Sequence, residues 1–165
     1  ILKPAIDTRD SATEVTSRIG LRHEANTVDE SIDILEFFKW AQTQRDIHCV
    51  FVDEAQFLTT AHVVQLCKIV DLYDVPVMAY GLRTDFRGEL FEGSKALLSV
   101  ADKLVELKGV CHCGRKATMV ARIDENGNAI TDGEVVELGG EDKYVSLCRK
   151  HWFELIGVYN EAKNV

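Results

Sequence analysis

Ile47-His48-Cys49-Val50-Phe51-Val52-Asp53-Glu54-Ala55-Gln56-Phe57 decides the fold of this chain. Its first six residues form a short, almost continuous apolar run, and such runs suit a strand buried on both faces of a parallel sheet. The run stops at two adjacent carboxylates. Open parallel sheets bind ligands beyond the carboxyl ends of their strands, so Asp53 and Glu54 stand where an active site is expected. An apolar strand ending in Asp is also how Walker-B sequences offer a carboxylate to nucleotide-bound Mg²⁺; the next Glu can then act as a base or orient a nucleophile. The same string can also be a strand end meeting solvent.

Outward from this strand, the pattern alternates. Residues 28–45 carry Asp29 and Glu30 ahead of Ile32, Ile34, Leu35, Phe38 and Trp40, which predicts an amphipathic helix with carboxylates in its first turn. After the strand, Thr59 or Thr60 can cap a helix whose Val63, Val64, Leu66, Cys67, Val70 and Leu72 share a broad face. Asp74 to Tyr80 reads as a second buried strand, Glu89 to Val100 as a third helix, and Lys103 to Leu107 as a further strand. Strand–helix alternation predicts an α/β layer with right-handed crossovers. After Val110 helical periodicity stops. Alternating runs over 117–123 and 134–138 flank Asn126-Gly127 and Asp132-Gly133, dipeptides that favour tight turns, so this region reads as β-ribbon. The expected organisation is an α/β domain over 1–108, a ribbon domain over 109–158 and a polar tail over 159–165.

The chain has 165 residues, a length that suits one domain or a domain with a small annex. Apolar residues make up 46% and charged residues 28%, which argues against disorder. With 19 Lys and Arg against 27 Asp and Glu, the net charge of −8 disfavours broad electrostatic binding to nucleic acid. No apolar run approaches the roughly 20 residues that span a bilayer, so no membrane partner is expected. Asp7, Arg9 and Asp10 interrupt the start at once, unlike a signal peptide. Five cysteines, an odd number without a secretory segment, predict a reducing, cytoplasmic setting. Cys49 and Cys67 lie in apolar runs and read as small buried hydrophobes, while His48 and His62 read as core or surface residues.

The other three cysteines form a pattern. Cys111-x-Cys113 and Cys148-x2-His151 are two short ligand pairs separated by a ribbon, the way tetrahedral Zn²⁺ sites are assembled. Four protein ligands leave no open position, so the ion would be structural. His112 is a competing ligand, but adjacent residues rarely point at one metal, which favours His151. Two loops accompany the acidic strand end: Asp7-Thr8-Arg9, and Gly81-Leu82-Arg83-Thr84-Asp85-Phe86-Arg87-Gly88. Aromatics and arginines at a strand's carboxyl end can stack a flat base and neutralise phosphate.

Together these strings resemble the zinc-containing, cytosolic type of thymidine kinase found in bacteria and vertebrates. The resemblance rests on Lys3-Pro4-x2-Asp7-Thr8-Arg9, Val52 to Phe57, Gly81-Leu82-x2-Asp85-Phe86-Arg87-Gly88 and Lys103 to Leu107. Cys111-x-Cys113-Gly114, Gly139 to Tyr144 and Cys148-Arg149-Lys150-His151 complete it, in family order over residues 1–153. It implies a P-loop NTPase-like (RecA-like) α/β core with a mostly parallel sheet and flanking helices, joined to a zinc ribbon bearing a lasso loop. It further implies transfer of the ATP γ-phosphate to the thymidine 5′-hydroxyl with Mg²⁺, Glu54 as base, Asp53 as Walker-B acid and Gln56 close to the nucleotide. Asp7 and Arg9 would lie near the phosphates. Leu82, Phe86 and Phe91 would enclose the thymine, with Phe57, Arg87 and Val120 also in the substrate set. Val135, Val136, Glu137, Leu138 and Gly139, with Tyr144, would form the lasso. A homotetramer and feedback inhibition by dTTP are further implications.

One part of the family pattern does not occur in these residues: a G-x4-G-K-[ST] phosphate loop with its preceding strand. The strand-like Ile1-Leu2-Lys3-Pro4 opening leads us to expect a preceding segment of very roughly 25–30 residues that supplies both, without which ATP binding and folding would fail. Two other classes share some of these features. Asp-Glu-Ala-Gln also resembles the Asp-Glu box of helicases, although the negative charge argues against a strand-tracking groove. A non-enzymatic zinc-ribbon binding module is the second.

Overall fold

In the computed structural model, residues 1–6, 13–17, 19–107, 109–135 and 144–159 are described. They divide into two compact units, Ile1–Arg83 with Phe91–Asp102, and Thr84–Leu90 with Lys103–Val165. Lys108, the expected boundary, lies outside the described residues.

The first unit contains β1 (Leu2–Pro4), β2 (Glu14–Thr16), β3 (Arg22–Glu24), β4 (Asn26–Val28), α1 (Ile34–Gln44), β5 (Val50–Val52), α2 (Thr60–Tyr73), β6 (Val77–Ala79) and α3 (Glu92–Val100). Its sheet is parallel in the order β4-β1-β5-β6, with Leu2 opposite both Asn26 and Val52, and Val50 opposite Val77. The α/β class read from the sequence is therefore correct. Ile34 and Phe38 from α1 and Val63, Leu66 and Ile69 from α2 are buried with Val50 and Val52 in one core. Each such side chain contributes roughly 1.5–3 kcal/mol on leaving water. The two helices are also stitched by a part-buried polar contact, since the Ile34 amide donates to Gln65 Oε1 at 2.9 Å.

Several local expectations shift. Helix α1 starts at Ile34, not near residue 28, because Asp29 accepts hydrogen bonds from the Ser31 amide and hydroxyl. That local turn diverts it from a helical start, and Asp33 caps the helix instead by accepting from the Glu36 amide at 2.9 Å. Thr59 is the cap of α2, and its partner in a reciprocal capping box is His62, a buried residue whose Nε2 also meets the Ile32 carbonyl. Burial of β5 is one-sided, with Phe51 exposed between buried Val50 and Val52, whereas β6 has no fully buried residue, Met78 and Ala79 both being exposed; Phe51 and Tyr80 stack at 6.5 Å. Cys49 and Cys67 are half-buried, not fully enclosed. The segment Lys103–Leu107 is exposed and takes no regular structure. Apolar character alone does not make a strand without an edge to pair with. No helix among the described residues is long and apolar enough to cross a membrane.

The second unit contains β7 (Gly109–Val110), β8 (Lys116–Ala117), β9 (Met119–Ile123), β10 (Ala129–Ile130), β11 (Tyr144–Leu147) and α4 (Arg149–Leu155). A β7–β8 hairpin accompanies an antiparallel sheet ordered β10-β9-β11, confirming the ribbon. The turn at Asn126-Gly127 joins β9 and β10, with Gly127 at φ +81° and the Asp124 carboxylate accepting the Asn126 and Asn128 amides. The alternating run expected from Glu134 is not a strand at Glu134 and Val135, and its remaining residues lie outside the described ones. Trp152 of α4 is buried and donates its indole N–H to the Val120 carbonyl at 3.0 Å, which pins the helix to β9.

Candidate functional site

Two sites emerge, one in each unit. In the first, β5 delivers Asp53 and Glu54 to the carboxyl end of the sheet, as its sequence implies. Glu54 occupies the left-handed region at φ 49°, ψ 38°, a conformation that costs a non-glycine residue on the order of 1 kcal/mol. A 3₁₀ turn, Ala55–Phe57, follows at once. The kink is fastened by backbone bonds, from Ala55 N–H to the Tyr80 carbonyl at 2.8 Å and from Phe57 N–H to the Glu54 carbonyl at 3.1 Å. The Glu54 amide donates to Asp53 Oδ1 at 3.0 Å, which ties the Asp53 carboxylate to the backbone at the kink. Gln56, which the family resemblance implies lies near the nucleotide, is buried, and its Nε2 donates to Glu54 Oε2 at 2.5 Å.

Nearby in the same unit, Phe57 and Phe91 meet edge to face at 5.5 Å, and Leu82 is 44% exposed. Gly81 has no room for a side chain, since a Cβ there would run into Gln56 Oε1 and crowd the Gln56 amide at 3.0 Å. Glycine is required at this position by close approach, a reason that pattern reading cannot supply.

In the second unit, Phe86 is buried and has the guanidinium groups of Arg87 and Arg122 each 5.6 Å from its ring centroid. Asp85, also buried, accepts from the amides of Arg87 and Glu89 and pairs with the Arg87 guanidinium at 2.9 Å. These bonds make 84–90 a closed, internally tied loop. Val120, Val135 and Tyr144 are half-buried, Tyr144 standing opposite Arg122 in the β9–β11 ladder. Asp7, Arg9, Val136, Glu137, Leu138 and Gly139 lie outside the described residues.

The second site is the cysteine–histidine cluster. Cys111, Cys113, Cys148 and His151 bring their ligand atoms within 4.8 Å of one another. Gly114 at φ +80° closes the tight turn after the first pair, while Cys148 stands at the N-cap of α4 and His151 in its first turn. The separations are Cys111 Sγ to His151 Nδ1 3.3 Å, Cys148 Sγ to His151 Nδ1 3.6 Å and Cys113 Sγ to Cys148 Sγ 3.9 Å. These lengths approach the edges of a tetrahedron around an ion with ligands at about 2.0–2.3 Å, and three sulfurs with one imidazole are a donor set that zinc takes. Burial pushes the Cys111 thiol up, but the amides of Cys113 and Cys148 and the His151 ring outweigh it and bring the thiol to about 5. Thiolate is the form a metal binds.

The sequence reading missed one neighbour of this cluster, Glu154. Glu154 Oε2 lies 3.7 Å from His151 Nε2, the ring nitrogen turned away from the sulfurs, in the arrangement that orients metal-binding histidines. Its position three residues after His151 on one helix was the available signal. His112, set aside as a ligand, stacks on the His151 ring at 4.3 Å.

A parallel α/β unit ending in a kinked Asp-Glu pair, together with a ribbon whose four Cys and His ligands could hold a metal ion, defines a class of α/β protein with a cysteine–histidine annex. The sequence model of the thymidine kinase family matches residues 1–152, and the chain belongs to this family. It is 66% identical to the thymidine kinase of Enterobacteria phage T4 over 155 residues, covering 94% of this chain and 80% of that protein. The thymidine kinase of Vibrio cholerae is 54% identical over 157 residues, covering 95% and 82%. That of Rhodopirellula baltica is 52% identical over 164 residues, covering 99% and 77%.

Proposed function

We propose that this protein is a thymidine kinase, transferring the γ-phosphate of ATP to the 5′-hydroxyl of thymidine. The observation that carries the reading is the left-handed Glu54 at the end of β5, its carboxylate fixed by Gln56. Phosphoryl transfer asks the protein chiefly for positioning and charge stabilisation. A carboxylate held in one place suits removal of the proton from the attacking hydroxyl. Asp53 is the carboxylate for the nucleotide's Mg²⁺, which when bound neutralises charge developing on the β- and γ-phosphates. Asp7 and Arg9 attend the phosphates.

On the nucleoside side, each unit is taken by itself: in the first, Leu82 and Phe91 are proposed as thymine-contacting residues with Phe57 also in the substrate set, and in the second, Phe86 is proposed as thymine-contacting with Arg87 and Val120 also in the substrate set. Val135, Val136, Glu137, Leu138 and Gly139, with Tyr144, form the lasso that reads the base edge. A loop anchored on a metal-held ribbon loses less freedom when it binds. Zn²⁺ on Cys111, Cys113, Cys148 and His151 is structural in this reading. A cytoplasmic homotetramer inhibited by dTTP completes the proposal.

The test is thymidine-dependent ATP consumption by the full-length protein and by Glu54→Gln. Loss of a general base should lower kcat by about 10²–10⁴-fold, with thymidine affinity nearly unchanged. A fully active Glu54→Gln protein removes Glu54 from the role.

A further inference from the structure

We propose that Gln56 and Ser94 are positioning residues that set the Glu54 carboxylate through the peptide group of Leu82. The proposal rests on the reading of Glu54 as the base. All four residues belong to the first unit. The Leu82 peptide is gripped from both sides: its N–H donates to Gln56 Oε1 at 3.0 Å, and its carbonyl accepts from Ser94 Oγ at 2.6 Å. Gln56 then donates through Nε2 to Glu54 Oε2 at 2.5 Å. Gln56 and Ser94 are 2% and 6% exposed, so water does not substitute for these bonds.

The direction of the chain is dictated by chemistry. A backbone N–H can only donate, so the carboxamide oxygen of Gln56 must face Leu82. Its NH₂ is thereby turned toward Glu54, whose ionised carboxylate can only accept. The Gln56 rotamer is fixed by a backbone donor belonging to another segment, not by Glu54 itself. Ser94 sits in the first turn of α3 and its hydroxyl, pointed at a carbonyl, acts as a donor there. Two glycines make the assembly possible. Gly81 lets the backbone approach Gln56, and Gly93 lets α3 press on the carbonyls of Ala55, Gln56 and Leu58.

The device links two parts of the proposed chemistry. Of these four residues Leu82 is the exposed one, and it stands in the proposed thymine-enclosing set. A shift of its peptide on substrate binding moves Gln56, and Gln56 moves the carboxylate. Gln56 and Ser94 therefore act on turnover, not on nucleotide affinity.

The experiment measures kcat and KM for thymidine and ATP in the full-length protein, in Gln56→Met, Ser94→Ala and the double variant, each well below its own unfolding temperature. Methionine keeps the volume of Gln56 without its amide. Gln56→Met should lose about 10–100-fold in kcat, because misplacing a reacting group by an ångström costs up to about 10²-fold. Ser94→Ala should lose about 3–10-fold, the equivalent of one buried hydrogen bond. KM for ATP should change less than about 3-fold in both. In the double variant the losses should be smaller than their product, because both act through one chain of bonds. Ser94→Thr, which retains the hydroxyl, should recover most of the Ser94→Ala loss.

Unchanged kcat, losses that multiply, or a rise in KM with kcat intact overturns the proposal. Glu54→Gln separates the two levels. If it is inactive while Gln56→Met and Ser94→Ala turn over normally, the base reading stands and the positioning chain fails. If Glu54→Gln is fully active, the base reading itself fails.

Discussion

Gly93→Ala sets two rules against each other. In an ordinary helix the substitution stabilises by up to about 1 kcal/mol, because glycine has more freedom to lose on folding. Gly93 lies in the first turn of α3, where an added Cβ would stand 2.8 Å from the Leu58 carbonyl oxygen and 2.9 Å from that of Gln56, with the Ala55 carbonyl also in its way. Relaxed C···O contacts sit at roughly 3.3–3.6 Å, so α3 must retreat by about 1 Å to clear all three backbone groups, the Ala55 carbonyl being the tightest, and none of them can rotate aside. Overpacking of this kind costs about 1–3 kcal/mol. Three simultaneous backbone clashes place it at the upper end, for a net loss of about 2 kcal/mol. For a chain of this size that lowers Tm by about 4–8 °C. Thermal unfolding followed by circular dichroism in zinc-containing buffer reads the shift. Ser99→Ala, on the exposed face of the same helix, serves as the control and should be neutral to slightly stabilising. A Gly93→Ala protein as stable as the parent would refute the close approach of α3 to the 3₁₀ turn.

Other outcomes follow from the same structure. Cys148→Ser should release about one zinc per chain, measured by metal analysis, and lower the unfolding temperature of the ribbon; undiminished zinc content would remove Cys148 from the ligand set. Glu92 accepts from the Thr60 amide and hydroxyl at 2.7 and 2.9 Å, which hold its carboxyl below the ordinary value. A lowered folded-state value means the stabilisation is present above the unfolded value of about 4.3 and is lost as pH falls through the folded one. Denaturant midpoints of Glu92→Gln and parent should accordingly differ at pH 7 and converge near pH 3, whereas a constant gap contradicts the linkage. Asp85→Ala strands the amides of Arg87 and Glu89 in a buried loop and should cost about 2–4 kcal/mol in equilibrium unfolding; a cost under about 1 kcal/mol means the loop does not depend on it.

The comparison of sequence with structure divides along a physical line. Features set by local chemistry were readable: the apolar run into Asp53-Glu54, the Thr59 cap, the Asn126-Gly127 turn and the two ligand pairs. Features set by what lies opposite in space were not. Lys103–Leu107 has the composition of a strand but no ladder partner among the described residues. Phe51 belongs to a run that reads as buried on both faces, yet 40% of its surface is exposed. Asp29 looked like a first-turn carboxylate until Ser31 claimed it. Gln56 was legible as a polar residue near the acidic pair. Its grip on Leu82, 26 residues away, was not, because no spacing rule encodes a contact between a turn and a distant peptide.

The division of the chain has a covalent consequence. The backbone passes from one unit to the other at Arg83–Thr84, Leu90–Phe91 and Asp102–Lys103. Segment 84–90 is therefore a donated piece, buried in the second unit through Phe86 beside Arg122 and through Gly88, whose Cα faces the Trp152 ring too closely for any side chain. Cleavage between Asp102 and Lys103 would sever the backbone without separating the products. The N-terminal fragment would keep seven residues bolted into its former C-terminal half, so the two pieces should copurify and reassemble as complementing fragments, and come apart only when the ribbon itself unfolds.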